Sequence, residues 1–310
     1  ADQPPMQSLL PARHGKERWM FNPMRAEFVA LAAAILYSGG SITARMGMHH
    51  SSPLTAACVL LFLRTIVFWV GVYLMGGIPH VEWLPLLLFV GLGVLQTATS
   101  LLQLTGIHRL GVSRAEPLRN TYPLWSAVIA IVFLGEHASP GIIAGTLLVV
   151  GGIALISWQP EESGLRYRWW EGIFSLLAAL FAGIAFPIRR IAFDISNEPL
   201  YFAAILAVVS FVSLGPYVSV RLRSESFVLN RRAVAPFILS GFFESAASLL
   251  SLVAVSLGRV VVVSPIVAST PLWTLILTVV FLRGLERINV RTVTGTFAVM
   301  TGTISIILSR

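Results

Sequence analysis

Charged residues are scarce in this chain: Asp, Glu, Lys and Arg together make up 12% of its 310 residues. A soluble globular domain usually carries about 25% of them. Hydrophobic residues make up 56%, which is more apolar surface than a soluble core hides but which lipid solvates directly. The shortage of charge therefore argues against a soluble enzyme or binding module and favours a membrane protein.

Cysteine occurs once, as Cys58, so an internal disulfide is excluded. The six histidines fall near predicted helix ends or in the N-terminal tail, and no spacing of His, Cys and carboxylates is typical of a metal site. No nucleophile–base pattern occurs, and neither does the glycine-rich loop of an ATPase. We therefore expect no enzyme activity, no cofactor and no bound metal.

Acidic residues are the scarcer charge, with 14 against 22 basic ones and a formal net charge of +8. The basic residues are scattered between apolar runs and form no stripe of the kind that binds nucleic acid. Short basic loops between apolar runs are typical of membrane topology signals. The expected partners are thus the lipid bilayer and a small solute, not a nucleic acid.

Long apolar runs are what the chain does have. A bilayer-spanning helix needs about 20 apolar residues, and ten segments approach or meet that length. They lie at residues 26–48, 54–76, 84–107, 112–134, 139–158, 170–192, 199–220, 234–256, 260–282 and 290–309. Because backbone groups in lipid must be satisfied internally, these segments are predicted to be helices. Residues 1–25 are predicted to be a tail and residues 159–169 a linker.

The two halves of the chain, 26–158 and 170–309, repeat each other at an offset of about 147 residues. The matches include Pro53-Leu54 with Pro199-Leu200, Pro123-Leu124-Trp125 with Pro271-Leu272-Trp273, and Gly145 and Gly152 with Gly295 and Gly302. Each half contains five predicted helices, an odd number, so the copies insert in opposite senses. Inverted repeats are typical of transporters, whose substrate site lies near mid-membrane between the repeats.

Two segments carry a family resemblance. Residues 110–156 read LGVSRAEPLRNTYPLWSAVIAIVFLGEHASPGIIAGTLLVVGGIALI, with small residues, a mid-helix proline, a Gly-Glu turn and a glycine-rich last helix. Residues 257–308 follow the same order, with Arg283-Gly284-Leu285-Glu286 in place of Gly135-Glu136. Both resemble the closing segment of the EamA repeat. The chain is thus similar, over roughly residues 26–309, to the ten-helix branch of the drug/metabolite transporter superfamily.

The resemblance implies an all-α membrane protein whose ten transmembrane helices form two inverted five-helix repeats. It also implies a secondary transporter or facilitator of small metabolites in the cell inner membrane, with both termini cytoplasmic, although basic residues are more numerous on the opposite side. We expect a monomeric exporter of amino acids or similar amphipathic solutes that works by alternating access, with proton coupling left open. The alternatives are a proton-coupled exporter of lipophilic cations and a non-transporting accessory or lipid-handling protein.

Ionisable residues inside predicted spans indicate a site, because burying a charge in a bilayer is costly. Glu244 lies near the middle of the eighth span, and its repeat mate Gln96 lies near the middle of the third. A carboxylate there is suited to bind an amine, to carry a proton or to make a structural hydrogen bond. Arg64 is predicted to pair structurally or to snorkel, and the alternatives are that it neutralises Glu244 or attracts a carboxylate substrate. Glu116 and Arg119, three residues apart on one helix, are predicted to pair with each other.

The remaining predicted site residues flank prolines and glycines. Pro123 and Pro271 each remove a helix hydrogen bond at matching depths, so we expect kinks that act as hinges or stay static. Gly39 and Gly183, at matching positions of spans one and six, are predicted to be further hinges. The predicted cavity lining consists of Tyr37, Ser38, Gln96, Arg119, Asn120, Glu244, Ser248, Ser269 and Trp273.

Overall fold

The computed structural model describes residues 24–110, 112–157, 169–221, 230–281 and 290–309. Its helices are α1 (Met24–Met48), α2 (Pro53–Leu74), α3 (Trp83–Leu110), α4 (Val112–Arg119), α5 (Tyr122–Leu134), α6 (Pro140–Ser157), α7 (Ile173–Ile195), α8 (Pro199–Arg221), α9 (Arg231–Leu257), α10 (Val260–Ala268), α11 (Thr270–Phe281) and α12 (Val290–Leu308). A 3-10 turn, Trp169–Gly172, precedes α7. Most of the predicted tail and linker, and the turn at 283–286, lie outside the described residues.

These helices account for the ten predicted spans. Seven segments are long and apolar enough to cross a membrane, one of which joins α10 to α11. The helices α6 and α12 are shorter but apolar, and α4 with α5 completes the set. Large apolar side chains such as Phe133 and Val212 are exposed on the outside, where lipid can solvate them. The predicted all-helical, ten-span fold is thereby confirmed.

Two of the spans are broken at matching depths. The first break, at Asn120 and Thr121, separates α4 from α5, and the second, at Ser269, separates α10 from α11. Pro123 and Pro271 lie just after the breaks. Proline has no N–H to donate, and its ring clashes with the carbonyl one turn back. The interruption therefore falls where the sequence predicts kinks, whereas a hinge role for these prolines stays a prediction.

The helices α6 and α12 show the inverted relation of the repeats directly. A Cβ added to Gly145 would come within 2.7 Å of the Gly302 carbonyl oxygen, and one added to Gly152 would come within 2.7 Å of the Gly295 oxygen. Numbering thus rises along one helix as it falls along the other, so the pair is antiparallel. Exchanging the two repeats converts each contact into the other, as a two-fold axis requires.

A turn between α5 and α6 also ties the repeats together. Gly135 adopts a left-handed conformation with φ of 65°, which ends α5 and turns the chain. The next residue, Glu136, accepts hydrogen bonds from the backbone N–H groups of Val260 and Val261, both at 2.9 Å. A carboxylate satisfies the free N–H groups at a helix N-terminus and complements its partial positive charge. The first repeat thereby caps α10 of the second.

Candidate functional site

One ion pair lies in the middle of the bundle. Arg64, halfway along α2, donates from Nη2 to the Oε2 atom of Glu244, halfway along α9. The Arg64 side chain is 11% exposed and the Glu244 side chain 25%. A close approach by α1 places this carboxylate, since a Cβ on Gly40 would lie 2.8 Å from Glu244 Cγ. The structural partner that the sequence predicts for Arg64 is therefore Glu244.

A second, half-buried arginine lies within electrostatic range of Arg64. The guanidinium of Arg189, on α7, lies 5.3 Å from the centre of the Phe186 ring, a cation–π contact. It lies within electrostatic range of the Tyr37 and Tyr122 hydroxyls and of the Arg64 guanidinium. Among the described residues its buried Nε has no hydrogen-bond partner. Arg189 therefore carries a positive charge that no carboxylate in the described chain neutralises directly.

Tyr122 joins this region to the broken fourth span. It is the first residue of α5, and its ring stacks on Phe186 with a centroid distance of 5.7 Å and an angle of 14°. Its hydroxyl lies within electrostatic range of Arg119 and Tyr37 as well as Arg189. The approach of α7 requires a glycine, because a Cβ on Gly183 would lie 2.9 Å from the Tyr122 carbonyl oxygen. Movement at the break would therefore move this tyrosine.

These side chains form a group that we call the central cluster. Its members, contributed by six helices from both repeats, are Tyr37, Arg64, Arg119, Tyr122, Arg189 and Glu244. Three guanidinium groups and two phenols are thus linked electrostatically, and the single carboxylate of the group pairs with Arg64. Arginine presents planar, paired donors that match the oxygens of a carboxylate or a phosphate. The cluster is suited to attract and orient a small anionic group, and it repels a cation.

The structure brings three of the predicted cavity residues into the central cluster: Tyr37, Arg119 and Glu244. Two others lie at the second break, where Trp273 Nε1 donates to Ser269 Oγ at 3.3 Å. Asn120 is buried at the first break. The breaks therefore hold several of the predicted polar residues next to the cluster or at the equivalent position in the other repeat.

Three predicted cavity residues are not joined to the central cluster. Ser38 and Ser248 are buried, and Gln96 is half-buried on α3. Within the described ranges, no hydrogen bond links the Gln96 side chain to Glu244 or to any other group. A substrate-contacting role for these three residues stays a prediction.

The predicted pairing of Glu116 with Arg119 is not observed among the described residues. Glu116 Oε1 instead accepts a hydrogen bond from Gln103 Nε2, at 3.2 Å. Since α4 follows α3 closely and packs against it, Gln103 reaches the carboxylate from the neighbouring helix. This leaves Arg119 available to the central cluster.

The two predicted glycine hinges differ in packing. A Cβ on Gly183 would lie 2.5 Å from the Trp125 Cβ, so α5 and α7 are in direct backbone contact there. A Cβ on Gly39 would lie 3.6 Å from the Phe243 ring, an ordinary contact, and the close approach belongs to its neighbour Gly40. A hinge role for either position stays a prediction.

Sequence reasoning missed Arg189, Tyr122 and Phe186. A signal for Arg189 was present, because this arginine falls inside the sixth predicted span, where an ionisable residue indicates a site. Because Arg189 lies near the end of that span, the same position is also compatible with a loop or interfacial charge. No comparable signal marked Tyr122 or Phe186, since aromatic residues are common throughout apolar helices.

Inverted five-helix repeats that enclose buried charges near mid-bundle define a class of protein, the polytopic membrane transporters. Comparison with known proteins identifies the family: the EamA-like transporter family matches residues 24–158 and 169–308, and the chain belongs to it. The predicted resemblance is thereby confirmed. The protein is accordingly a multi-pass membrane transporter of small solutes.

Two relatives place this assignment among known proteins. The chloroplastic phosphoenolpyruvate/phosphate translocator 1 of Oryza sativa subsp. japonica is 23% identical over 145 residues, which is 44% of this chain and 34% of that protein. The match thus spans about a third of the translocator's length. A crystal structure covering 93% of this chain superposes with a TM-score of 0.74 at 15% sequence identity, and 98% of that chain is covered. The second comparison supports the fold alone.

Proposed function

We propose that this protein carries small solutes with an anionic group, and amino acids first among them, across the membrane by alternating access. The observation behind the proposal is the central cluster, in which three arginines from both repeats are accompanied by a single carboxylate near the middle of the bundle. A carboxylate solute complements this charge, and the amphipathic remainder of an amino acid suits the apolar surroundings. When two repeats rock against each other, a solute bound between them is exposed first to one side of the membrane and then to the other.

The breaks in the fourth and ninth spans are the points at which we expect the helices to bend during transport. Tyr122 begins α5 directly after the first break and belongs to the central cluster. Arg119 precedes the same break and lies on the other side of it. Bending at this break would therefore change the position of two solute-facing groups relative to Arg64. The matching break at Ser269 gives the second repeat an equivalent point of movement.

The partial likeness to the rice translocator adds support for an anionic solute. That protein is named for phosphoenolpyruvate and phosphate, both of which are anions. Carboxylates and phosphates present similar oxygen pairs to arginine. The comparison favours the anionic class without choosing between them.

A lipophilic-cation exporter with Glu244 as the cation site receives less support. Arg64 already neutralises that carboxylate, and Arg189 places a second positive charge within electrostatic range of Arg64. A non-transporting lipid-handling role gives no reason to place one buried and two half-buried arginines inside the helix bundle. Outward direction, proton coupling, the monomeric state, the inner membrane and cytoplasmic termini stay predictions.

Counterflow in proteoliposomes tests the proposal. Vesicles preloaded with an amino acid, succinate, phosphate or a lipophilic cation are diluted into the same solute carrying a radioactive label. We expect accumulation of at least one anion or zwitterion, and its loss in Arg189→Gln. The matched control is Arg109→Gln, which removes a half-exposed arginine that lies 3.9 Å from Glu171 at the end of α3. Counterflow of the cation alone would establish the drug-export alternative, and no flux of any solute would contradict transport.

A further inference from the structure

We propose that Glu244 is a built-in substitute for the solute's own anionic group. In this scheme, which rests on the proposed function, Glu244 holds Arg64 while the carrier is empty, and the arriving oxyanion displaces it. Arg64 and Arg189 then form one anion site with two guanidiniums. Such a site gives Glu244 a role other than binding a cation.

Unused hydrogen-bond donors mark the site. Arg64 binds Glu244 through Nη2, and its Nε is buried without a hydrogen-bond partner among the described residues. The Nε of Arg189 is in the same state. A buried donor without an acceptor costs free energy, so two such donors, on guanidiniums within electrostatic range of each other, indicate that acceptor oxygens are lacking. A ligand carrying several oxygens supplies them.

Burial and attachment show which partner can leave the ion pair. The Glu244 side chain is more than twice as exposed as that of Arg64, 25% against 11%. Glu244 therefore already presents part of its surface outside the pair, whereas Arg64 stays enclosed. Arg189, for its part, is held by the Phe186 ring. The two guanidiniums form the fixed part of the site, and the carboxylate is the part that moves.

The ligand chemistry follows from the two cations. A molecule with one anionic oxygen group replaces Glu244 at Arg64 and leaves Arg189 unmatched. A molecule with two negative charges, carried as two carboxylates or as one phosphate, matches both guanidiniums. We therefore infer that the site takes dianionic oxyanions in preference to monoanions, and among amino acids those with a second carboxylate. A quaternary ammonium ion gains nothing, because both arginines repel it.

The Glu244 carboxylate also stabilises the carrier when no solute is bound. Without Glu244, Arg64 would be unpaired in a region of low dielectric whenever the carrier changes conformation without a bound solute, and an unpaired charge there is costly. With Glu244, the arginine exchanges one counter-ion for another. Solute binding is accordingly weaker than it would be at an unoccupied arginine, because every binding event must first break the ion pair.

Ligand-dependent thermal unfolding of the full-length protein in detergent tests the proposal. The probes are succinate for a dicarboxylate, inorganic phosphate for a phosphate, acetate for a monoanion and choline for a cation. We expect succinate or phosphate to raise the unfolding midpoint of the wild type more than acetate does. In Glu244→Gln, which keeps an acceptor oxygen but not the charge, we expect the apparent Kd of that dianion to fall at least about fivefold, a typical size for the coupling between competing sites. Arg189→Gln should abolish the response, and Arg109→Gln should match the wild type.

Each other outcome overturns a distinct statement. An unchanged or weaker dianion affinity in Glu244→Gln, measured on a protein that still exchanges anions in vesicles, would overturn the built-in anion and leave the proposed function standing. A choline response that disappears in Glu244→Gln would instead make Glu244 a cation site. If Glu244→Gln does not fold on its own, the test moves to Arg64→Gln, in which a wild-type dianion response would equally contradict the proposal. Absence of anion exchange in the wild type would end the proposed function itself.

Discussion

Two interfaces in this molecule are related by the exchange of repeats, and they differ in chemistry. In one, α9 packs on α2, and a Cβ on Gly241 would lie 3.0 Å from Leu63 Cδ1. In the other, α3 packs on α8, and a Cβ on Gly93 would lie 2.6 Å from Val209 Cβ. Gly241 is the repeat mate of Gly93, and Leu63 is the mate of Val209. The backbones thus approach at equivalent glycines on both sides of the two-fold axis.

The residues that follow these glycine contacts are charged in the α2–α9 interface and neutral in the α3–α8 interface. Arg64 and Glu244 form an ion pair between α2 and α9. Between α8 and α3, the mate of Arg64 is Ser210, whose hydroxyl donates to the Gly93 carbonyl and whose own carbonyl accepts from Thr97 Oγ1, both at 3.1 Å. The helix packing therefore forms without charges, and the ion pair is an addition to only one copy.

This difference indicates why the charges are present. A buried ion pair often contributes little net stability compared with neutral residues of similar size, and the neutral interface is an internal example of such a replacement. Arg189 lies within electrostatic range of Arg64 and so adds positive charge to the interface that carries the ion pair. Arg119 belongs to the same cluster through Tyr122. Charge in one copy only thus points to a requirement of the solute site, and not to one of folding.

The largest effect is expected when the ion pair is broken from one side. Glu244→Ala leaves the Arg64 guanidinium buried without its counter-ion. Removing one partner of a buried pair typically costs about 3–5 kcal/mol, so the unfolding midpoint in detergent should fall strongly. The measurement is thermal unfolding followed by light scattering or by size-exclusion chromatography after heating.

The control for this variant is the repeat mate, Gln96→Ala. Within the described residues the Gln96 side chain makes no hydrogen bond, so its removal should cost about 1 kcal/mol or less, as for an ordinary surface change. Equal losses in Glu244→Ala and Gln96→Ala would contradict the assignment of charge to one interface.

An intermediate effect is expected when the glycines are filled. Gly93→Ala places its Cβ against Val209 Cβ and within 3.3 Å of the Leu206 carbonyl oxygen, so the helices must separate. Overpacking of this kind typically costs about 1–3 kcal/mol. Gly241→Ala meets Leu63 Cδ1 and Cβ at 3.0 and 3.1 Å, which are looser contacts than those at Gly93 and require a smaller shift, so it should cost less. Thermal unfolding of both variants tests the order, and a larger loss in Gly241→Ala would contradict it.

How much of this could be predicted from the sequence depends on the range of each interaction. The ten spans and the repeat follow from apolar runs and ordered matches, because lipid imposes length and periodicity on every helix. The ion pair was within reach, since Arg64 and Glu244 both lie mid-span. The pairing of Glu116 with Gln103 and the position of Arg189 were not, because they depend on which faces of separate helices meet. The alignment relates the repeats but does not say where they touch.

A smaller effect is expected in the neutral interface. Ser210→Ala removes the hydroxyl that donates to the Gly93 carbonyl, and Thr97→Val removes the donor to the Ser210 carbonyl. Hydrogen bonds between membrane helices contribute about 0.6 kcal/mol on average and seldom more than about 1.7. Each variant should therefore lower the unfolding midpoint slightly and leave solute counterflow intact. Loss of counterflow in either would show that the neutral interface also serves the solute.

The smallest effect on stability is expected when the charged interface is rewritten as the neutral one. Arg64→Ser combined with Glu244→Gln gives α2 and α9 the residues that their mates carry, and it leaves no buried charge unpaired. Replacing both partners of a buried ion pair is often neutral or stabilising, so the unfolding midpoint should stay within the equivalent of about 1 kcal/mol of the wild type. Solute counterflow should nevertheless be lost, because one of the two guanidiniums that form the proposed anion site would be missing. A double variant that is as unstable as Glu244→Ala would mean that the ion pair serves folding, and a double variant that still transports would mean that the solute does not use Arg64.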